Sequence, residues 1–190
     1  MSVPTIAKAT LQAAAINAGS NVLAQAIKAN RSGVPFELDV QALMQFTTCA
    51  FILSPLAFLW LQTLEALFPG KKAANAASEK KVENSGKASD AEAPALDITN
   101  TIIKVVIDQL IGGAWNAVVF ITAMGLLRGQ SLGLIRDQIR QEFWPIITAG
   151  LKLWPFVSIL NFTVVPASQR LLVGSLFGVL WAVYLSLMAG

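Results

Sequence analysis

Between Leu153 and Ser186 the chain sets Pro155, Asn161, Pro166 and Arg170 into otherwise apolar sequence, with Trp154 at the start and Trp181 and Tyr184 near the end. A proline or a carboxamide inside a hydrophobic span is tolerated only where neighbouring helices re-satisfy the freed backbone and amide groups. The stretch is therefore expected inside a bundle of membrane helices. Composition agrees, because 55% hydrophobic and 13% charged residues lie outside the usual soluble range. We expect one integral membrane domain over residues 1–190, with a charged flexible loop at 70–97.

The apolar runs give the spans. Residues 41–68 carry FILSPLAFLWLQ at their centre, with a kink expected at Pro55 and an interfacial or packing ring at Trp60. Residues 98–127 form a further span, an apolar stretch from Trp144-Pro145 to Val165 another, and 171–188 the last. Residues 5–28 are Ala-rich but carry Gln12, Asn17, Asn21 and Gln25, so they are expected to insert only as part of a bundle, through Ala14 and Ala18. Residues 131–143 place Leu132, Ile135, Ile139 and Phe143 on one face and Arg136, Asp137, Arg140 and Glu142 opposite, which predicts a short amphipathic helix on the membrane surface. The expected fold is all-α, a polytopic transmembrane helix bundle of four to five membrane helices, each long enough to cross about 30 Å of hydrocarbon.

From Gly70 to Asp97 the composition changes. Five lysines (71, 72, 80, 81 and 87) alternate with five acids (79, 83, 90, 92 and 97) and almost no large apolar residues, so the segment cannot bury a core of its own. The net charge of +3 has no basic groove behind it, which argues against nucleic acid as a partner and for membrane-flanking cations. Counted along alternating spans, Lys8, the loop lysines and Arg170 face Lys28, Arg31, Arg128, Arg136 and Arg140, too even a division to set orientation. The chain has no His and one Cys, Cys49, which removes imidazole acid–base chemistry, Cys–His nucleophiles and ordinary zinc sites. An enzyme is the least supported reading, and no metal or cofactor is implied. The first residues show neither a secretory signal nor an Arg-rich transit pattern, so organelle targeting is expected to be internal.

Asp108 is the strongest anomaly, an ionisable group in mid-span with Gln109 beside it. It sits on a stripe spaced by four, Asn100, Lys104, Asp108, Gly112 and Asn116, which stays on one broad side of a helix. Two readings stand side by side. Asp108 lines a polar pathway with Lys104, Gln109, Asn116 and the Asn21, Gln25 side of the first helix, or it makes a helix–helix hydrogen bond or pairs with Lys104 across one turn. Asn161 is read as a brace between the two prolines, and Arg170 as an interfacial anchor or lipid-phosphate contact. Trp154, Trp181 and Tyr184 are read as belt or packing aromatics. Gly174 and Gly178 share one helix face and predict close packing, either within the bundle or in a homo-oligomer.

The run Leu153-Trp154-Pro155, Asn161-Phe162, Val165-Pro166, Arg170, then Trp181 with Tyr184-Leu185-Ser186 resembles the C-terminal signature of the Mpv-seventeen / peroxisomal-membrane-protein-twenty-two family of small organelle membrane proteins. The Asp108-Gln109 pair is similar to that family's pattern, while Asn21, Ser54, Ser158 and Ala182 depart from it and the 70–97 segment is longer than its usual connection. The resemblance implies a multi-pass protein of the peroxisomal or the mitochondrial inner membrane, with a pore or channel for small solutes as its activity. The alternative is a membrane-organising or tethering protein that moves no solute. Membrane lipids, small solutes and a second copy are the partners these readings imply.

Overall fold

A computed structural model describes residues 3–70 and 96–188, with side chains described over 5–70 and 96–184. The charged segment expected to be flexible lies almost wholly outside the described residues. Its ends do not, and they meet: the Asp97 amide donates to the Gly70 carbonyl at 2.9 Å and the Asn100 carboxamide to the Pro69 carbonyl at 3.1 Å.

The helices are α1 (Val3–Ser32), α2 (Val40–Leu67), α3 (Ile98–Leu127), α4 (Leu132–Gly150), α5 (Trp154–Thr163) and α6 (Arg170–Met188). Their ends follow local chemistry. Asp39, Asp97 and Ser131 each accept a first-turn amide hydrogen bond through the side chain, as N-caps do. Gly33 (φ 66°) and Gly129 (φ 71°) close α1 and α3 in the left-handed conformation, each followed by an amide that reaches back five residues, from Val34 to Ala29 and from Gln130 to Gly125.

Among the described residues three helices are long and apolar enough to cross a membrane, namely α2, α3 and Ala167–Tyr184, and a fourth if the bent pair α4 plus α5 counts as one span. With the bent pair counted, the four spans agree with the lower of the expected counts of four to five; α1 is not among them, because it has the length but too many polar side chains. Its Ala stripe is instead packed inside the bundle, with Ala13 and Ala14 almost wholly buried against α2 and α6. Ala13, Phe58 and Leu171 make the centre of that contact, with Ile6, Ala9 and Ala57 around it. In lipid such a seam is held by close packing of small residues rather than by exclusion of water.

α2 holds Pro55 inside a helix that continues on both sides of it. One boundary differs from expectation. The amphipathic stretch is not a separate helix but the first part of α4, which continues through Trp144-Pro145 to Gly150. Pro145 removes a single backbone donor, and the flanking helical bonds carry the chain past it. The break falls at residues 151–153, where α4 and α5 diverge by 56°, and Pro155 then sits in the first turn of α5, where its missing N–H costs nothing. Ile135 of the apolar face is buried against α3 beside Gly125, Ile139 and Phe143 are half-buried, and Leu132 points outward.

Candidate functional site

α5 and α6 form a hairpin clamped at both ends. At the tight end Arg170 opens α6 and donates through Nε to the carbonyls of Asn161 (2.9 Å) and Val165 (3.2 Å), while the Asn161 carboxamide donates to the Arg170 carbonyl at 3.4 Å. Pro166 caps the short 3-10 turn that carries the chain round. At the open end the Trp154 ring lies edge-on to Trp181 at 6.3 Å, and Trp181 stacks on Tyr184 at 5.5 Å. The spacing of the C-terminal signature is thus the spacing of one helical hairpin. Ser186 lies in the last turn of α6, where side chains are outside the described residues. Of the two glycines, a Cβ on Gly174 would stand 4.0 Å from the Asn161 carboxamide nitrogen, whereas one on Gly178 would meet nothing within 4 Å among the described residues.

Where the hairpin meets the ends of α2 and α3, a cluster of charges is buried. Glu65 Oε2 accepts from Lys104 Nζ at 2.6 Å and from the Arg170 guanidinium at 2.7 Å, and Oε1 accepts from the Gly70 amide at 2.9 Å. Lys104 is 0% exposed and Arg170 5%. Both cations lie 5.1 Å from the centroid of the buried Phe162 ring, whose π face takes part of the charge that Glu65 leaves uncovered. Three ionised groups with one negative charge leave the cluster at net +1. Buried charges are stable only when paired and hydrogen-bonded, and here both conditions hold.

About one turn further along α3 is a second polar cluster with no cation in it. Asp108 Oδ1 accepts from the Trp60 indole at 2.9 Å, Oδ2 accepts from the Ser158 hydroxyl, and Ser158 in turn accepts from the Gln109 carboxamide at 2.8 Å. α2, α3 and α5 therefore converge on one carboxylate. Here α3 opens into a π turn at Asp108–Gly112, closed by the Gly113 amide donating to the Asp108 carbonyl. Such turns insert one residue into a helix and occur often at functional sites. Gly112 makes room for the indole: a Cβ there would stand 2.7 Å from Trp60 Nε1 and 3.0 Å from Asp108 Oδ1.

The structure divides the expected polar stripe. Lys104 and Asp108 face the interior but do not pair with each other, because Lys104 turns to Glu65. Gln109 joins Asp108 through Ser158. Asn116 is exposed on the outside of α3. The extra residue of the π turn is the reason: downstream of it Ala117, Ile121 and Met124 take the interior face that an uninterrupted helix would have given to their predecessors. Asn21 and Gln25 are elsewhere. The Gln25 carboxamide donates to Asn21 at 2.8 Å and forms a two-bond clamp with the Asp39 backbone, at 2.8 and 3.2 Å, on the α1–α2 turn. One surface groove lies between α3 and α5 and another at the α1–α2 turn, where Gln25 is part of the wall; Asp108, Gln109 and Asn116 line neither.

Three partners escaped the sequence reading. The sequence reads Trp60 only as a ring and Ser158 only as a departure from a family position, and it assigns no partner to Glu65. A signal for Glu65 was present, since an acid late in one apolar run has to be matched by a cation from another.

The Mpv17 / PMP22 family's sequence profile matches residues 125–186, which contain α4, α5 and nearly all of α6. Protein sym1 of Schizosaccharomyces pombe is 26% identical over 149 residues, 78% of this chain and 61% of that protein. PXMP2/4 family protein 3 of Dictyostelium discoideum is 27% identical over 153 residues, 80% of this chain and 70% of that one. Mpv17-like protein of Bos taurus is 31% identical over 130 residues, 68% of this chain and 53% of that protein. The chain thus spans roughly half to two-thirds of the length of these relatives. No solved structure matches. With the hairpin motif at its centre, the matched block makes this chain a multi-pass membrane protein of the Mpv17 / PMP22 family.

Proposed function

We propose that the protein is an integral organelle-membrane protein that provides a pathway for small solutes, with the Asp108 cluster as its constriction. One observation carries the reading. Among the described residues, a carboxylate within a membrane span is held only by an indole and a hydroxyl, both neutral and both contributed by other helices, with no cation beside it. Ionisable groups kept within spans usually face a pathway or relay, and donors on separate helices can part when those helices move. With both carboxylate oxygens occupied and neither of the two grooves reaching Asp108, the described arrangement is a closed one.

That same occupancy favours a second reading, a membrane-organising protein in which Asp108 only braces three helices. The two part in liposomes. Purified protein should pass small ions or neutral solutes, and Asp108→Asn should change ion selectivity or conductance while leaving the yield of folded protein nearly unchanged. Absence of flux for every solute and voltage tried would leave the organising role. The family resemblance implies the peroxisomal or the mitochondrial inner membrane, and a tagged copy imaged against both markers would assign one.

A further inference from the structure

Asn116 lies within the spanning helix α3, about 17 Å along the axis from its nearer end at Leu127. It is exposed on the outer surface and, among the described residues, its side chain makes no hydrogen bond. Its surroundings are apolar: Trp115 is 55% exposed and Ile111 56%. A carboxamide in hydrocarbon without a partner is strongly disfavoured, and lipid tails offer none.

We propose that Asn116 marks a self-association surface of this chain, where it pairs with Asn116 of a second copy. A carboxamide carries both donor and acceptor, so it is complementary to itself, as a two-fold contact between identical surfaces requires. Gly113, one turn before, presents no side chain, and a Cβ there would meet only the Asp108 carbonyl of its own helix at 3.8 Å, so a partner helix has room to approach. Trp115 provides a flat apolar ring beside the contact. The π turn is what creates this surface, because an uninterrupted α3 would put Asn116 where Ala117 now faces the interior. The inference is independent of solute passage, and its test reads association alone.

Full-length protein, labelled separately with donor and acceptor fluorophores, is reconstituted into phosphatidylcholine vesicles over a range of protein-to-lipid ratios. Asn116→Leu is expected to raise the dissociation constant about threefold to thirtyfold, the range measured for single interhelical hydrogen bonds in membranes. Asn116→Gln should restore part of the loss. Since the Asn116 side chain has no partner among the described residues, the thermal midpoint of the dissociated protein should be the same for all three. In a Cys49→Ala background, Asn116→Cys should oxidise to a covalent dimer, whereas Leu110→Cys, on the same helix and 69% exposed, should not. The proposal is overturned if the wild-type protein is monomeric at every ratio, if Asn116→Leu associates as tightly as wild type, or if only Gly178→Leu disperses the copies.

Discussion

The two buried polar clusters solve the same problem in opposite ways. At the end of the bundle Glu65, Lys104 and Arg170 neutralise one another, and the phenyl ring of Phe162 takes what remains of the positive charge. Within α3, Asp108 has no counter-charge and relies on neutral donors. The first arrangement cannot lose a member without stranding a charge. The second loses one hydrogen bond at a time. The charged cluster is therefore suited to holding four helix ends together, and the Asp108 cluster to rearranging.

The largest expected effect tests the first half of that contrast. Glu65→Ala leaves Lys104 and Arg170 buried without an anion and should cost about 3–5 kcal/mol, read as a lowered thermal midpoint in detergent. Adding Lys104→Met to Glu65→Ala should recover part of the loss. If the double variant were no more stable than the single one, the cations would not be acting through Glu65.

Trp60→Phe keeps the ring and removes one donor from Asp108, with an expected cost of about 1.5–3 kcal/mol. Ser158→Ala should fall in the same range, and in the double variant the two losses should not add, because they share one carboxylate. Strict additivity in that cycle would mean that Trp60 and Ser158 do not meet at Asp108.

Gly112→Ala sharpens the contrast by moving the indole without touching its chemistry. The new methyl meets Trp60 Nε1 at 2.7 Å, so the ring or the helix must shift, at about 1–3 kcal/mol. The altered indole environment should appear in Trp fluorescence. An unchanged spectrum and midpoint would place Trp60 elsewhere.

Removing residues 71–95 should have the smallest effect, within about 0.5 kcal/mol, because the length of a connection matters little once its ends are held together. Gly70 and Asp97 already meet at 2.9 Å, and a short Gly-Ser linker can join them. Loss of membrane insertion on this deletion would make the segment a required part of the fold.

Composition and local pattern were enough for the all-α membrane class, for the spans in α2, α3 and α6, and for the amphipathic start of α4, because apolar length and helical period are properties of short stretches of chain. The C-terminal signature was legible too, since its members lie within one hairpin. Pairing across the bundle was not. Glu65 meets Lys104 over 39 residues and Arg170 over 105, and Trp60 meets Asp108 over 48, separations at which spacing carries no information. The clearest divergence is within α3, where four-residue spacing grouped Asn116 with Asp108 and the π turn separated them. One inserted residue turns everything downstream by about 100°, and packing of Gly112 against Trp60 accompanies it at a level no periodicity can report. Local chemistry thus determined which segments enter the membrane, and only the tertiary structure decided which polar groups face one another inside it.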